Sequence, residues 1–301
     1  MSKAYFINKV LATTVVGSYP VVKGSGLKTL FDPFKSAVET AVADQVAAGI
    51  DIISDGQVRG DMIQAFSGKL PGVKGQDIVG KIQPASGAIT AGDTKYAKSK
   101  SLYVKGIITG PSTLAHGLHI STPMYRNKEE LALDLAAALA VEAKYLEAAG
   151  VTLLQIDEPI FSTGVADLAV GKQAIDLITG AVKVPTCMHV CGNLANVLDD
   201  ILKVNVNVLD FEFSKNPENL SLFGSKDLSG RMIGYGCIDS TAEPVESVAE
   251  IKKRIEKGVE VFGAKNMLVD PDCGLRMRSR ESAFWKLKNM AEAAKEVRLA
   301  L

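Results

Sequence analysis

His189 and Cys191 stand two residues apart in the run 186–193 (TCMHVCGN), where strand alternation puts both side chains on the same side. An imidazole and a thiol in that relation can bind one tetrahedral ion, and zinc favours this donor pair. Glu212 in the run 211–214 (FEFS) and Cys273 in 270–274 (DPDCG) add a carboxylate and a second thiol, each where an apolar run gives way to a loop. Such a set would activate a thiol. A free thiol with a pKa near ~8.5 is mostly protonated at neutral pH, and zinc coordination converts it to the nucleophilic thiolate. Each residue also has a plainer reading: His189 as a hydrogen-bonded strand-end histidine, Glu212 as the partner of a lysine or arginine, and Cys273 as packed under Pro271. Spacing alone does not choose between them.

The elements that must gather these residues follow a repeated pattern. Short β-branched or apolar runs at 12–16, 50–54, 105–108, 151–156, 186–190, 206–213, 232–235 and 266–269 predict strands. Helical patterns follow most of them, at 35–48, 128–149, 171–182, 194–203, 244–262 and 281–297, with Gly49, Gly150 and Gly263 placed as C-terminal caps. Eight such units predict an α/β fold, a (β/α)8 TIM barrel forming a single domain over 1–301. The rival doubly wound sheet would want a G-x-G-x-x-G turn after the first strand, and the chain has Val16-Gly17-Ser18-Tyr19-Pro20 there. The stretch 66–102, rich in Gly, Lys and Ser, is expected as an insertion after strand 2 that covers the mouth, with a short helix within 61–69.

In barrels the active site lies at the carboxyl ends of the strands, and polar motifs follow nearly every run here. Asp157-Glu158-Pro159 either places a carboxylate against a substrate ammonium or starts a helix. Gly17-Ser18 either offers N–H groups to a substrate carboxylate or is a plain turn. His116 and His119 read as loop-packing residues unless one faces the mouth, where it could handle protons.

Composition narrows the partners. With 34 basic and 34 acidic residues the chain has no net charge and no basic stripe, which argues against nucleic acid and anionic membrane as partners and for small molecules. The run 1–10 lacks the apolar core of a signal peptide, and 131–149 carries Asp134, Glu142, Lys144 and Glu147, too many charges for a membrane span. A cytoplasmic protein is expected. Four cysteines are too few for a disulfide framework; Cys187 and Cys237 are expected to pack in the core, leaving Cys191 and Cys273 for chemistry.

The ordered motifs 13–20 (TTVVGSYP), 154–159 (LQIDEP), 189–193 (HVCGN), 211–214 (FEFS) and 269–275 (VDPDCGL) resemble the zinc-bearing catalytic half of cobalamin-independent methionine synthase over nearly the whole chain. The resemblance implies a zinc methyltransferase that converts L-homocysteine to L-methionine. It also implies Zn2+ ligands at His189, Cys191, Glu212 and Cys273, a carboxylate site at Val16, Gly17 and Ser18, and an amine site at Asp157. Three departures matter. Gln57 matches a substrate-binding Glu, Asp239 matches the proton-donating His, and the only Trp, Trp285, lies far from the region 110–117 where the family's folate-binding Trp is found. Asp239 and His116 remain the candidates for proton transfer. Folate methyl transfer needs a proton on the departing nitrogen, whereas a methyl leaving cobalt needs none. The chain therefore looks like the short members of the family that take their methyl from a methylcorrinoid, either methylcobalamin or a methylated corrinoid protein. The rival readings are a methyltetrahydrofolate-type donor, or corrinoid-dependent methylation of another thiol such as coenzyme M.

Overall fold

The structure, a computed structural model, describes residues 7–22, 24 and 32–301; residues 1–6 of the N-terminal run lie outside it. The strands are β1 (Ala12–Thr13), β2 (Val73–Lys74), β3 (Asp77–Ile78), β4 (Lys105–Thr109), β5 (His119–Ile120), β6 (Leu153–Asp157), β7 (Thr186–Val190), β8 (Val208–Glu212), β9 (Met232–Gly236) and β10 (Met267–Asp270). Seven of them form a parallel sheet in the order β1-β10-β9-β8-β7-β6-β4. Single parallel bridges join Thr14 to Ile52 and Ile53 to Val104, so the expected second strand lies beside both β1 and β4 without a continuous ladder. The architecture is α/β and TIM-like. The stretch 66–102 contains the antiparallel pair β2–β3 and a helix, Ala91–Lys98, and β3 pairs in turn with β5.

Alternation along the strands separates two environments. One set, including Leu154, Ile156, Met188, Val190, Leu209, Phe211 and Val269, packs against the helices in the main core, each large side chain contributing about 1.5–3 kcal/mol by leaving water. The other set starts with a small apolar cluster of Ala12, Ile52, Leu153, Cys187, Val208 and Leu268. Two residues further along each strand this set turns polar, with Gln155, His189, Asp210 and Asp270 all buried, and two further on stand Asp157, Cys191, Glu212 and Asp272. The polarity gradient along one face therefore ends at three residues expected to do chemistry, Asp157, Cys191 and Glu212, and beside a fourth, Cys273. Cys187 and Cys237 are buried, at 1% and 0% exposure.

Helix ends follow local chemistry. Ser247 and Glu250 form a capping box at the start of Val248–Phe262, Asn127 caps Lys128–Ala148, and Gly49 adopts φ 85° after Lys35–Ala48. The helix expected at 194–203 shrinks to Leu198–Ile201. Before it, Leu194 N donates to Asn219 Oδ1 at 3.0 Å and Ala195 N to Asn193 Oδ1 at 2.9 Å, while Leu198 N still bonds Leu194 O at 2.9 Å. Among the described residues no helix is long and apolar enough to cross a membrane.

Candidate metal and substrate site

His189, next to last in β7, lies opposite Asp210 of β8, and its Nδ1 is 3.0 Å from Asp210 Oδ1. A carboxylate can only accept there, so Nδ1 carries a hydrogen and Nε2 is the free donor atom. Nε2 is buried with no hydrogen-bond partner among the described residues. The donor atoms of His189, Cys191 and Cys273 all lie within 4.8 Å of one another, a cluster that could hold a metal ion. An orphaned ring nitrogen facing two thiols fits that reading well. A hydrogen bond from Cys191, followed by the imidazole, holds the Cys273 thiol well below its ordinary range, while that same bond and burial push Cys191 up. Of the two thiols, Cys273 is the one shifted toward the thiolate.

Glu212 lies outside this cluster. Its carboxylate accepts from Asn216 Nδ2 and the Gly192 N–H, and burial raises it above the usual carboxylate range. Three of the four expected ligands are therefore together, with the fourth one loop away and held by neutral donors instead of a lysine or arginine.

The cluster opens into a cavity of about 330 Å³ lined also by Val16, Ser18, Asp55, Gln57, Asp157 and Arg276. The two readings of Asp157-Glu158 divide between the residues. Glu158 turns away and accepts from Ser112 N, Thr113 N and Thr113 Oγ1 at 2.7–2.9 Å, capping the helix Pro111–Gly117. Asp157 faces the cavity, with Oδ1 held by Gln155 Nε2 at 2.7 Å. Burial pushes its carboxyl up to about 7, with His189 pulling the other way.

Along the first strand's end the carbonyls are all taken: Val15 by Lys105 Nζ, Val16 by Gln155 Nε2, Gly17 by Ser54 Oγ and Ser18 by Leu275 N. No described residue accepts from the N–H groups of Val16, Gly17 or Ser18. Gly17 has φ 153°, and a Cβ there would meet Ile107 Cδ1 at 2.4 Å and Gln57 Oε1 at 2.7 Å, so the turn needs glycine. Gln57 itself has φ 44°, a strained value for a side-chain residue; Asp55 Oδ1 accepts from its N–H and Arg276 donates to its carbonyl, both at 2.9 Å.

Asp239 and His116 are not among the cavity-lining residues. Asp239 accepts from Thr241 and Ala242 in its own loop, and His116 Nδ1 lies 2.9 Å from Ser112 O within its own helix. Trp285 is half-exposed on the last helix, against Phe284. The sequence motifs pass over Asp210 and do not single out Asp55. Asp210 carries a signal, since it precedes Glu212 by two and so shares its side of the strand. Asp55 has only its polar loop; burial pushes it up to about 6 at the cavity wall.

Residues 11–296 match the family described as "Cobalamin-independent synthase, Catalytic domain". The chain is 42% identical to the methionine synthase of Methanothermobacter thermautotrophicus over 307 residues, covering 94% of this chain and 99% of that one. It is 42% identical to the methionine synthase of Methanocaldococcus jannaschii over 313 residues, covering 96% and 100%. Among solved structures, a B12-independent methionine synthase from Shewanella sp. W3-18-1 has the same fold, with a TM-score of 0.87 at 23% identity over 97% of this chain and 100% of that one.

Proposed function

Since the chain belongs to the cobalamin-independent synthase catalytic-domain family, we propose that it methylates the thiol of L-homocysteine to give L-methionine at a zinc ion held by His189, Cys191, Cys273 and Glu212. It is a methyltransferase, like the methionine synthases it matches. The observation that carries the reading is a single cavity in which the His-Cys-Cys cluster, the Asp157 carboxylate and the strand-end residues Val16 and Ser18 meet. When bound, zinc would keep the substrate sulfur as thiolate at neutral pH. The protein does the rest of the positioning. Asp157 takes the ammonium, the N–H groups of Val16, Gly17 and Ser18 take the carboxylate, and Gln57 packs beside Gly17 at the same wall. The Shewanella protein was solved with selenomethionine, the selenium form of the product expected here. Asp210 fixes the tautomer that leaves His189 Nε2 for the ion; Asp210→Asn is expected to weaken zinc binding about tenfold in chelator competition, and an unchanged Kd would remove that role.

We read the sheet as a closed (β/α)8 barrel in one domain over 1–301, with 66–102 inserted after the second strand. The two bridges of Ile52 and Ile53 support closure. The cytoplasm suits four free cysteines, which a reducing medium keeps as thiols.

The donor is read as a methylcorrinoid, brought as methylcobalamin or on a corrinoid protein docking at the mouth. On this reading it is a substrate and not a resident cofactor, whereas the family is described as cobalamin-independent. Supporting this, Asp239 and His116 lie off the cavity, so neither is placed to protonate a departing nitrogen, and Phe66 is the one Phe, Tyr or Trp among the described lining residues. The test is methionine formation by the zinc-loaded protein with homocysteine and either methylcobalamin or methyltetrahydrofolate. Product is expected from the first alone; product from the folate alone overturns the donor, and methylation of coenzyme M in place of homocysteine overturns the acceptor.

A further inference from the structure

Three of the proposed ligands, Cys191, Glu212 and Cys273, sit in loops or at a strand end, where separations are not set by the sheet ladder. Two buried side chains that bind no ion link those loops in series. Asn219, fully buried, donates from Nδ2 to Gly192 O at 2.9 Å and to Glu212 O at 3.0 Å, while its Oδ1 accepts from Leu194 N at 3.0 Å. Every polar atom of that amide is spent on joining the loop of Cys191 to Glu212. Asp272, 1% exposed, accepts from Phe213 N at 3.1 Å and Ser214 N at 2.9 Å with Oδ1, and from Lys215 N at 2.8 Å with Oδ2. It thereby joins the turn after Glu212 to the residue before Cys273. The intervening strand makes room: a Cβ at Gly236 would lie 2.6 Å from Asp272 Oδ1 and 2.8 Å from its Cα.

We propose that Asn219 and Asp272 are positioning residues that set the separation of Cys191, Glu212 and Cys273, so that metal affinity depends on two side chains outside the ligand set. The physical reason is preorganisation. Each bond fixes loop backbone before an ion arrives, so the ordering cost is not charged against binding, and the two links run in series from one thiol to the other. Donor and acceptor number supports the choice of residues: a carboxyl group has oxygens enough for three converging N–H donors, and an amide can serve two carbonyls and one N–H.

This rests on the zinc reading above, and the experiment separates the two. Zinc affinity by chelator competition and the thiolate-to-cobalt charge-transfer band of the Co2+-substituted protein are measured for wild type, Asp272→Asn and Asn219→Ala. Glu147→Gln is the control, because Glu147 likewise accepts from two backbone N–H groups, Lys183 at 2.6 Å and Val184 at 3.1 Å, in the loop leading into the far end of β7. The expected result is an affinity loss of about tenfold or more and a shifted band in both site variants, with the control keeping the wild-type values whatever its Tm. Asp272→Asn keeps one acceptor oxygen and is the milder change, so it decides the matter if Asn219→Ala does not fold. Site variants with unchanged affinity and spectrum overturn the proposal. A wild-type protein that binds neither ion would instead overturn the zinc reading itself.

Discussion

Cys273→Ser is expected to strip the protein of zinc and of methyl transfer to homocysteine together, leaving the fold intact. Cys273 is the thiol that the Cys191 bond and the His189 imidazole shift toward the thiolate, the form that binds zinc. A serine hydroxyl is a hard, neutral donor that stays protonated, and the remaining thiol, Cys191, sits on the raised side of the pair. The site would lose charge and softness at once. The affinity loss should exceed the roughly 10- to 100-fold that follows removal of an outer hydrogen-bond partner. Metal content after dialysis, methionine formation and thermal unfolding together check it. Full zinc content with unchanged turnover would remove Cys273 from the site, whereas loss of both with an unchanged Tm is the expected pattern.

Much of this was legible in the sequence because one physical regularity reached from pattern to site. Period-two alternation in 186–190 and 206–213 placed His189 with Cys191 and gave β7 and β8 to within two residues at either end. The second strand was legible as a run but not as a ladder, since Ile52 and Ile53 make only single bridges and the pairing is decided by neighbours distant in sequence. The helix at 194–203 has a real apolar pattern, with Leu194, Val197, Leu198 and Ile201 buried, yet only Leu198–Ile201 is helical. Glu158 and Asp157 were indistinguishable as letters. Only the approach of Ser112 and Thr113 decides which carboxylate caps a helix and which faces the cavity. The linking roles of Asn219 and Asp272 were invisible for the same reason, because each joins loops that are adjacent only after folding.

Asp157→Asn tests the amine site, and two opposite effects are expected from one substitution. Burial pushes the Asp157 carboxyl up to about 7, so near neutrality the empty cavity holds it partly protonated. An ammonium favours the ionised form. Homocysteine should therefore bind better as pH rises through about 7, and its KM should fall over that range to a plateau. Asparagine keeps the oxygen that Gln155 Nε2 bonds and removes the charge, so KM should rise and its inflection near pH 7 should vanish. A charge-assisted hydrogen bond contributes about 1.5–3 kcal/mol, or roughly ten- to a hundredfold in KM. Stability should move the other way. An acid whose folded pKa lies above its unfolded value, about 3.8, makes the protein less stable as pH rises from that value to about 7 and through the plateau beyond. Removing it should raise the stability of the substrate-free protein at pH 8 by up to a few kcal/mol, since each tenfold difference in proton affinity between folded and unfolded chains corresponds to about 1.4 kcal/mol. The measurements are KM for homocysteine from pH 6 to 8.5 and denaturant midpoints at pH 5 and 8, in wild type and variant. A carboxylate kept buried at the cost of stability is the expected mark of a residue that waits for a cation. An unaltered KM across the range would show that Asp157 does not receive the ammonium.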